Sequence, residues 1–151
     1  MKQLATFLLL GLASCAAPGP KPASHLSPMG QEIVQRVAAS HSGVTRLTLH
    51  AIPTGTARAR VVASTSPGKL GTWSDPEDLQ VMATKAPVVL MEGANLDYTA
   101  PVLDGSGNAI ATVGVTLAGG TSAGKEAETA RAKEIAAEVT SAILAAGKPL
   151  W

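Results

Sequence analysis

The chain carries one thiol and three imidazoles, and where they stand says more than how many there are. Cys15 is the sole cysteine of 151 residues. It follows Lys2, a largely apolar run Leu4–Leu12, and the small residues Ala13 and Ser14. A short positive segment, an apolar segment and a small-residue processing site make up a secretory signal peptide. The apolar run is about nine residues, far short of the roughly 20 a helix needs to span a bilayer. A thiol at that point is exposed to processing chemistry, and with no second cysteine no intrachain disulfide can form.

Other reactive residue types are not spaced for catalysis or metal binding. Gly119-Gly120-Thr121-Ser122-Ala123-Gly124-Lys125 matches the first seven positions of a phosphate-binding loop, after a strand and before a helix. The eighth position, however, is Glu126, where a Ser or Thr hydroxyl would hold magnesium and where a carboxylate repels phosphate. A helix-capping loop accounts for the run. His25, His41 and His50 fall in a linker, at a helix end and on a strand, with no pair at ligand spacing, so no metal is expected. His41 suits a helix C-terminus, where a cation is favoured. There is no Gly-x-Ser-x-Gly elbow, and Asp75, Glu77 and Asp78 read as helix-start acids. No catalytic residue, no cofactor and no enzymatic role is expected. Without residues 1–14 the basic side chains number 12 − 1 = 11 against 11 acidic ones, a net charge of zero, so nucleic acid is not an expected partner.

The elements that must position any site follow from periodicity and caps. Residues 15–27 form a Pro-rich tether, Ala-Ala-Pro-Gly-Pro-Lys-Pro-Ala-Ser-His-Leu-Ser after the cysteine, which favours an extended spacer. A helix is predicted from Pro28 to His41, capped by Ser27, with Ile33, Val34, Val37 and Ala38 as its apolar stripe. Val44–Ile52 alternates as a half-buried strand, with Leu47, Leu49 and Ala51 on one face and Thr48 and His50 on the other. A turn at residues 53–56 leads to a return strand, Ala57–Ser64. Asp75 or Ser74 caps a short helix that opens with Pro76 and has Leu79, Met82 and Ala83 on its apolar side. Strands are predicted at Pro87–Met91, Leu96–Leu103 and Ala109–Leu117, the last two joined by the Asp104–Asn108 turn. A long helix, Gly124–Ala146, buries Ala127, Ala130, Ile135, Val139, Ile143 and Leu144, and Gly147 and Pro149 end it. The predicted fold is α+β: an antiparallel five-stranded sheet with an N-terminal helix, a short crossing helix and a long C-terminal helix, the long helices covering one face. The domain occupies residues 28–147, and 148–151 form a tail.

Two resemblances add to this reading. Leu12-Ala13-Ser14-Cys15 resembles the bacterial lipobox, which implies that Cys15 is acylated and becomes the new N-terminus. In lipoproteins of that kind an aspartate after the cysteine favours inner-membrane retention, so Ala16 leans toward the outer membrane, with the domain facing the periplasm. The hairpin Tyr98–Leu117, with Pro101 on its first strand, its Asp/Gly turn and its Gly- and Val-rich second strand, resembles the closing hairpin of extracytoplasmic PAS-like sensor domains of the Cache group. Gly68-Lys69-Leu70-Gly71, the helix after Asp75 and the strand from Pro87 stand in compatible order. The resemblance implies a pocket between the sheet and the short helix, where Arg58 or Arg60, but not both, meets Trp73 and Tyr98; alternate strand positions share a face, so without a twist or bulge to separate them the two arginines form one basic pair there. Such an arginine grips the carboxylate of a small organic ligand while the aromatics cover its apolar part. The alternative places the arginines in solvent and the aromatics in packing, and makes the chain an adaptor that docks another envelope protein. A closed pocket with convergent polar groups marks the first reading and an exposed apolar patch the second.

Overall fold

The first helix forms where its caps require. In the computed structural model, which describes residues 25–119, 124–147 and 151, α1 runs from Pro28 to Ser40. The Ser27 hydroxyl accepts from Gly30 N–H at 2.9 Å, and Pro28 takes the first turn, where a missing N–H leaves nothing unsatisfied. Ile33, Val34 and Val37 are buried. Cys15, the signal segment and most of the tether lie outside the described residues, as do residues 120–123 of the glycine-rich loop.

Two strands follow, β1 (Val44–Ala51) and β2 (Arg60–Ser64), paired antiparallel with a break in register between Leu49 and His50. The predicted return strand is shortened at its start, because pairing begins only at Arg60. A 3₁₀ turn at Pro67–Lys69 precedes α2 (Pro76–Thr84). Asp75 and Asp78 close that helix start as a reciprocal capping box, and Lys85 ends it in the left-handed region at φ 60°. Then come β3 (Val88–Glu92), β4 (Asn95–Leu103), β5 (Ala109–Ala118) and α3 (Lys125–Ala145). The five strands lie in the order β2-β1-β5-β4-β3, antiparallel throughout.

Both long helices cover one face, as predicted, and α2 crosses the other. Between the helices and the sheet lie Ile33, Val34, Leu47, Leu49, Leu96, Val113, Val115, Leu117, Ile135 and Val139, all in one apolar core. Two expectations need correction. On α3 the buried stripe is Ala132, Ile135, Ala136, Val139 and Ile143, while Ala127, Ala130 and Leu144 are exposed. A helix rich in alanine offers several stripes of similar hydrophobicity, and docking on the sheet selects one. The second correction concerns β1, which is not half-exposed: Thr48 and His50 are each only 5 % exposed. Their alternation is real, but α2 covers the polar face as well.

His41, expected to serve the α1 dipole, stands at the helix C-cap and also reaches Glu138 Oε2 on α3 at 2.8 Å.

Candidate functional site

Strand register gathers polar side chains from three strands beneath α2. Arg46, Thr48 and His50 alternate along β1 and pair in register with Thr116, Gly114 and Thr112 of β5. Thr116 and Gly114 in turn stand beside Asp97 and Thr99 of β4. Gly114 is required for this closeness, since a Cβ there would lie 2.5 Å from Thr48 Oγ1.

From above, α2 lowers Asp78 onto His50. Asp78 Oδ2 lies 3.0 Å from His50 Nδ1, with the side chains 5 % and 7 % exposed. The same oxygen accepts from Asp75 N–H at 2.9 Å, so one carboxylate both caps the helix and fastens it to the sheet. Ser74 Oγ also meets His50 Nδ1, at 3.1 Å, and Thr48 Oγ1 meets Nε2 at 3.0 Å. The trio Ser74, His50 and Asp78 does not form a nucleophile relay. Both oxygen groups converge on one ring nitrogen, whereas a relay needs the acid on one nitrogen and the hydroxyl on the other.

A second cluster lies along the same face. Arg46 reaches Glu92 at 3.2 Å and Asp97 at 3.4 Å, and Thr116 Oγ1 donates to Asp97 Oδ1 at 3.1 Å. Burial pushes the Asp97 carboxyl above its ordinary 3.8, Arg46 opposes that shift, and Glu92 and Asp78 add to it. Glu77, Glu92 and Asp97 each bring a carboxylate oxygen within 4.8 Å of the others, and Arg46 already engages two of the three. No local spacing in the sequence announces either cluster. The space left between them is about 20 Å³, room on the scale of one water. The closed pocket between sheet and short helix is therefore filled by the protein's own side chains.

An open cleft of about 450 Å³ lies at the rim of this face, lined by Ile52, Arg58, Trp73, Leu79 and Met82 among others. Its apolar groups face solvent: Ile52, Trp73 and Leu79 are 49 %, 46 % and 48 % exposed. Trp73 is held by an isolated antiparallel bridge to Arg60. The guanidinium carbons of Arg58 and Arg60 both lie 4.0 Å from the centre of the Trp73 ring. The expectation that only one of them meets Trp73 is corrected in favour of the basic pair that shared strand parity allows: both reach the ring. Arg60 Nε is buried with no hydrogen-bond partner among the described residues.

Tyr98 is not part of this cleft. It belongs to the apolar core on the helical face, between β4 and the long helices, and burial pushes its phenol above the ordinary value of 10.0. Of the four predicted ligand-binding residues the structure brings together Arg58, Arg60 and Trp73 and sends Tyr98 to the opposite face. Register explains it: Tyr98 is one residue from Asp97, so the two must point to opposite sides.

No family model and no curated protein matches the sequence. Solved structures do match in fold. The GAF domain of nlh2 from A. Aeolicus, in an inactive state, is 13 % identical with a TM-score of 0.54, over 76 % of this chain and 93 % of that one. The inducer-binding domain of the PobR transcription factor from Acinetobacter, a double mutant in complex with 3-hydroxybenzoic acid, is 10 % identical with a TM-score of 0.53, over 79 % and 97 %. The second GAF domain of DevS from Mycobacterium smegmatis is 13 % identical with a TM-score of 0.52, over 79 % and 94 %. At such identities the likeness is one of architecture. The chain has a PAS-like α+β fold of the kind seen in GAF domains.

Proposed function

We propose that the chain is a non-catalytic, small-ligand-binding module of the sensor type, lipid-anchored through Cys15 and facing the periplasm, with the outer membrane favoured by Ala16. The observation that carries the ligand reading is the rim cleft, where Arg58, stacked with Arg60 on Trp73, borders exposed Ile52 and Leu79 and half-buried Met82. An arginine beside an apolar wall suits a small organic acid: the guanidinium takes the carboxylate and the wall takes the rest. The PobR domain of similar fold is complexed with 3-hydroxybenzoic acid, a compound of this class.

Titration of the protein with 3-hydroxybenzoate, followed by tryptophan fluorescence and calorimetry, tests the reading. Binding that weakens in Arg58→Ala and Arg60→Ala supports it; no binding by this acid or by aliphatic carboxylates of similar size refutes it. Detergent partitioning of wild type against Cys15→Ala tests the anchor, with loss from the detergent phase expected for the variant.

A second reading rests on the openness of the same cleft. Exposed Ile52, Trp73 and Leu79 are what an adaptor would present to another envelope protein. Co-purification of one envelope protein, lost on Trp73→Ala and insensitive to carboxylates, would favour it.

A further inference from the structure

The two edges of the sheet are finished differently. At β2 the outer edge is sealed: Val61 N–H donates to Thr72 O at 2.9 Å, Gly71 N–H to Val61 O at 2.9 Å, and Ser27 N–H to Val62 O at 2.8 Å. The Gln31 side chain donates to Ser64 O at 2.8 Å and accepts from Ser64 N–H at 2.9 Å. At β3, Val88–Glu92 pair with β4 without a break in register. Among the described residues, no backbone group of these five is hydrogen-bonded outside that ladder. No lysine, proline or bulge interrupts Val88–Met91, and Leu90 and Met91 are each 40 % exposed. An edge that is apolar over Val88–Met91, with Glu92 at its end, and whose outward N–H and C=O groups have no partner among the described residues is a template for another strand.

The side chains on this edge match themselves. Val89 and Met91 share the helical face, opposite Tyr98 and Leu96, while Leu90 lies on the other face, opposite Asp97. Beside Val89 an open groove of about 620 Å³ runs along the start of α3, lined by Lys125, Glu126, Thr129, Ala130 and Lys133. We propose that β3 pairs antiparallel with β3 of a second copy about a twofold axis at Leu90, joining two five-stranded sheets into one. An axis normal to the sheet keeps each face on its own side, so only residues of like parity can oppose each other. Leu90 then meets Leu90 of the second copy, and Met91 of one copy lies across Val89 of the other, where the groove opens. The exposed methionine and the groove that takes it belong to the same chain and the same face, which is why the occupant is a second copy and not a foreign strand. A five-residue edge is short of the ~800 Å² per partner of a standard interface, so pairing is weak in dilute solution and gains from any anchoring that concentrates the chains.

Sedimentation equilibrium of the full chain in density-matched neutral detergent tests it. A reversible dimer is expected, with Leu90→Lys raising its dissociation constant about ten-fold or more. Far-UV circular dichroism should be unchanged, since Leu90 is 40 % exposed in the single chain. Mild oxidation of Leu90→Cys should give a linked dimer faster than Leu79→Cys, a similarly exposed position on α2, and this readout stands even if the lysine variant fails to fold. A chain that stays monomeric to millimolar concentration overturns the proposal. So does a dimer indifferent to Leu90→Lys, or one that links through Leu79→Cys instead; either outcome would mean that another surface carries the contact.

Discussion

The two faces of the sheet are both buried, and they are held by opposite chemistry. Toward α1 and α3 the contacts are aliphatic: Leu47, Leu49, Val113, Val115 and Leu117 meet Ile33, Val34, Ile135 and Val139. Toward α2 they are ion pairs and hydroxyls: His50 with Asp78, Arg46 with Asp97 and Glu92, and Thr116 with Asp97. The first face is held by area removed from water, which depends on volume and little on identity. The second depends on its charged groups keeping their partners, because an orphaned charge in that setting costs more than the pair contributes, whereas the Thr112 hydroxyl is buried there without a partner among the described residues. One face therefore fails gradually and the other abruptly.

The largest effect should come from the polar face. Asp78→Ala removes the partner of His50 and the acceptor for Asp75 N–H together, so a loss of about 3–5 kcal/mol is expected in urea unfolding. The double variant Asp78→Ala with His50→Leu should recover part of that loss, since it leaves no buried imidazole stripped of its carboxylate and held by the Ser74 and Thr48 hydroxyls alone. Equal losses in single and double variants would break the comparison.

On the apolar face Ile135→Ala should cost about 2–4 kcal/mol, from lost transfer energy and the cavity left behind. A second truncation at a neighbouring aliphatic position should not rescue it, which is the contrast with Asp78. Rescue by Val139→Ala, for example, would contradict the account.

Smaller effects appear in the pH dependence, where two aspartates should act with opposite sign. Asp97 has its folded value raised above the ordinary 3.8 by burial, so the folded state binds more protons between those two points. Its contribution is full below 3.8 and is lost as pH rises through the raised value. Asp104, exposed in the β4–β5 turn, is lowered chiefly by the hydrogen bond from Asn108 N–H, with Ser106 N–H adding to it. Its contribution is present above 3.8 and lost as pH falls through the lowered value. Urea midpoints measured against pH should show Asp97→Asn gaining on wild type toward neutral pH. Asp104→Asn should gain on wild type toward acid. Parallel curves for the two variants would refute the burial argument.

The smallest change is expected at the rim. Arg58 stacks on a half-exposed Trp73, and such a contact is worth about 0.5–1 kcal/mol, so Arg58→Ala should hardly move the thermal midpoint. A large destabilisation would mean that the stack is structural and the cleft not free to take a ligand.

Much of the fold is legible in local chemistry. Ser27-Pro28 and Asp75-Pro76 mark the starts of α1 and α2, and the Asp104–Asn108 turn joins the two strands it was expected to join. The burial of Ile33, Val37, Ile135 and Val139 follows from helical spacing. Less of the candidate site is legible. Arg58, Arg60 and Trp73 are conspicuous because a chain poor in aromatics offers few such residues, and the structure does bring them together. Tyr98 is equally conspicuous and faces the other way, since prominence in composition carries no information about strand parity.

The sequence by itself determined the order of elements, their caps and turns, and which stripe of α1 would be buried, because periodicity and capping act over a few residues. It also determined the placement of its sole cysteine after an apolar run, a purely linear feature. Only the tertiary structure decided that Thr48 and His50 are buried, that Asp78 serves both cap and sheet, and that Arg46 stands between Glu92 and Asp97. Those outcomes depend on where α2 lies across the sheet and on the register of β4 against β5, and such pairings are selected by complementarity between residues far apart in the chain, which no local pattern encodes.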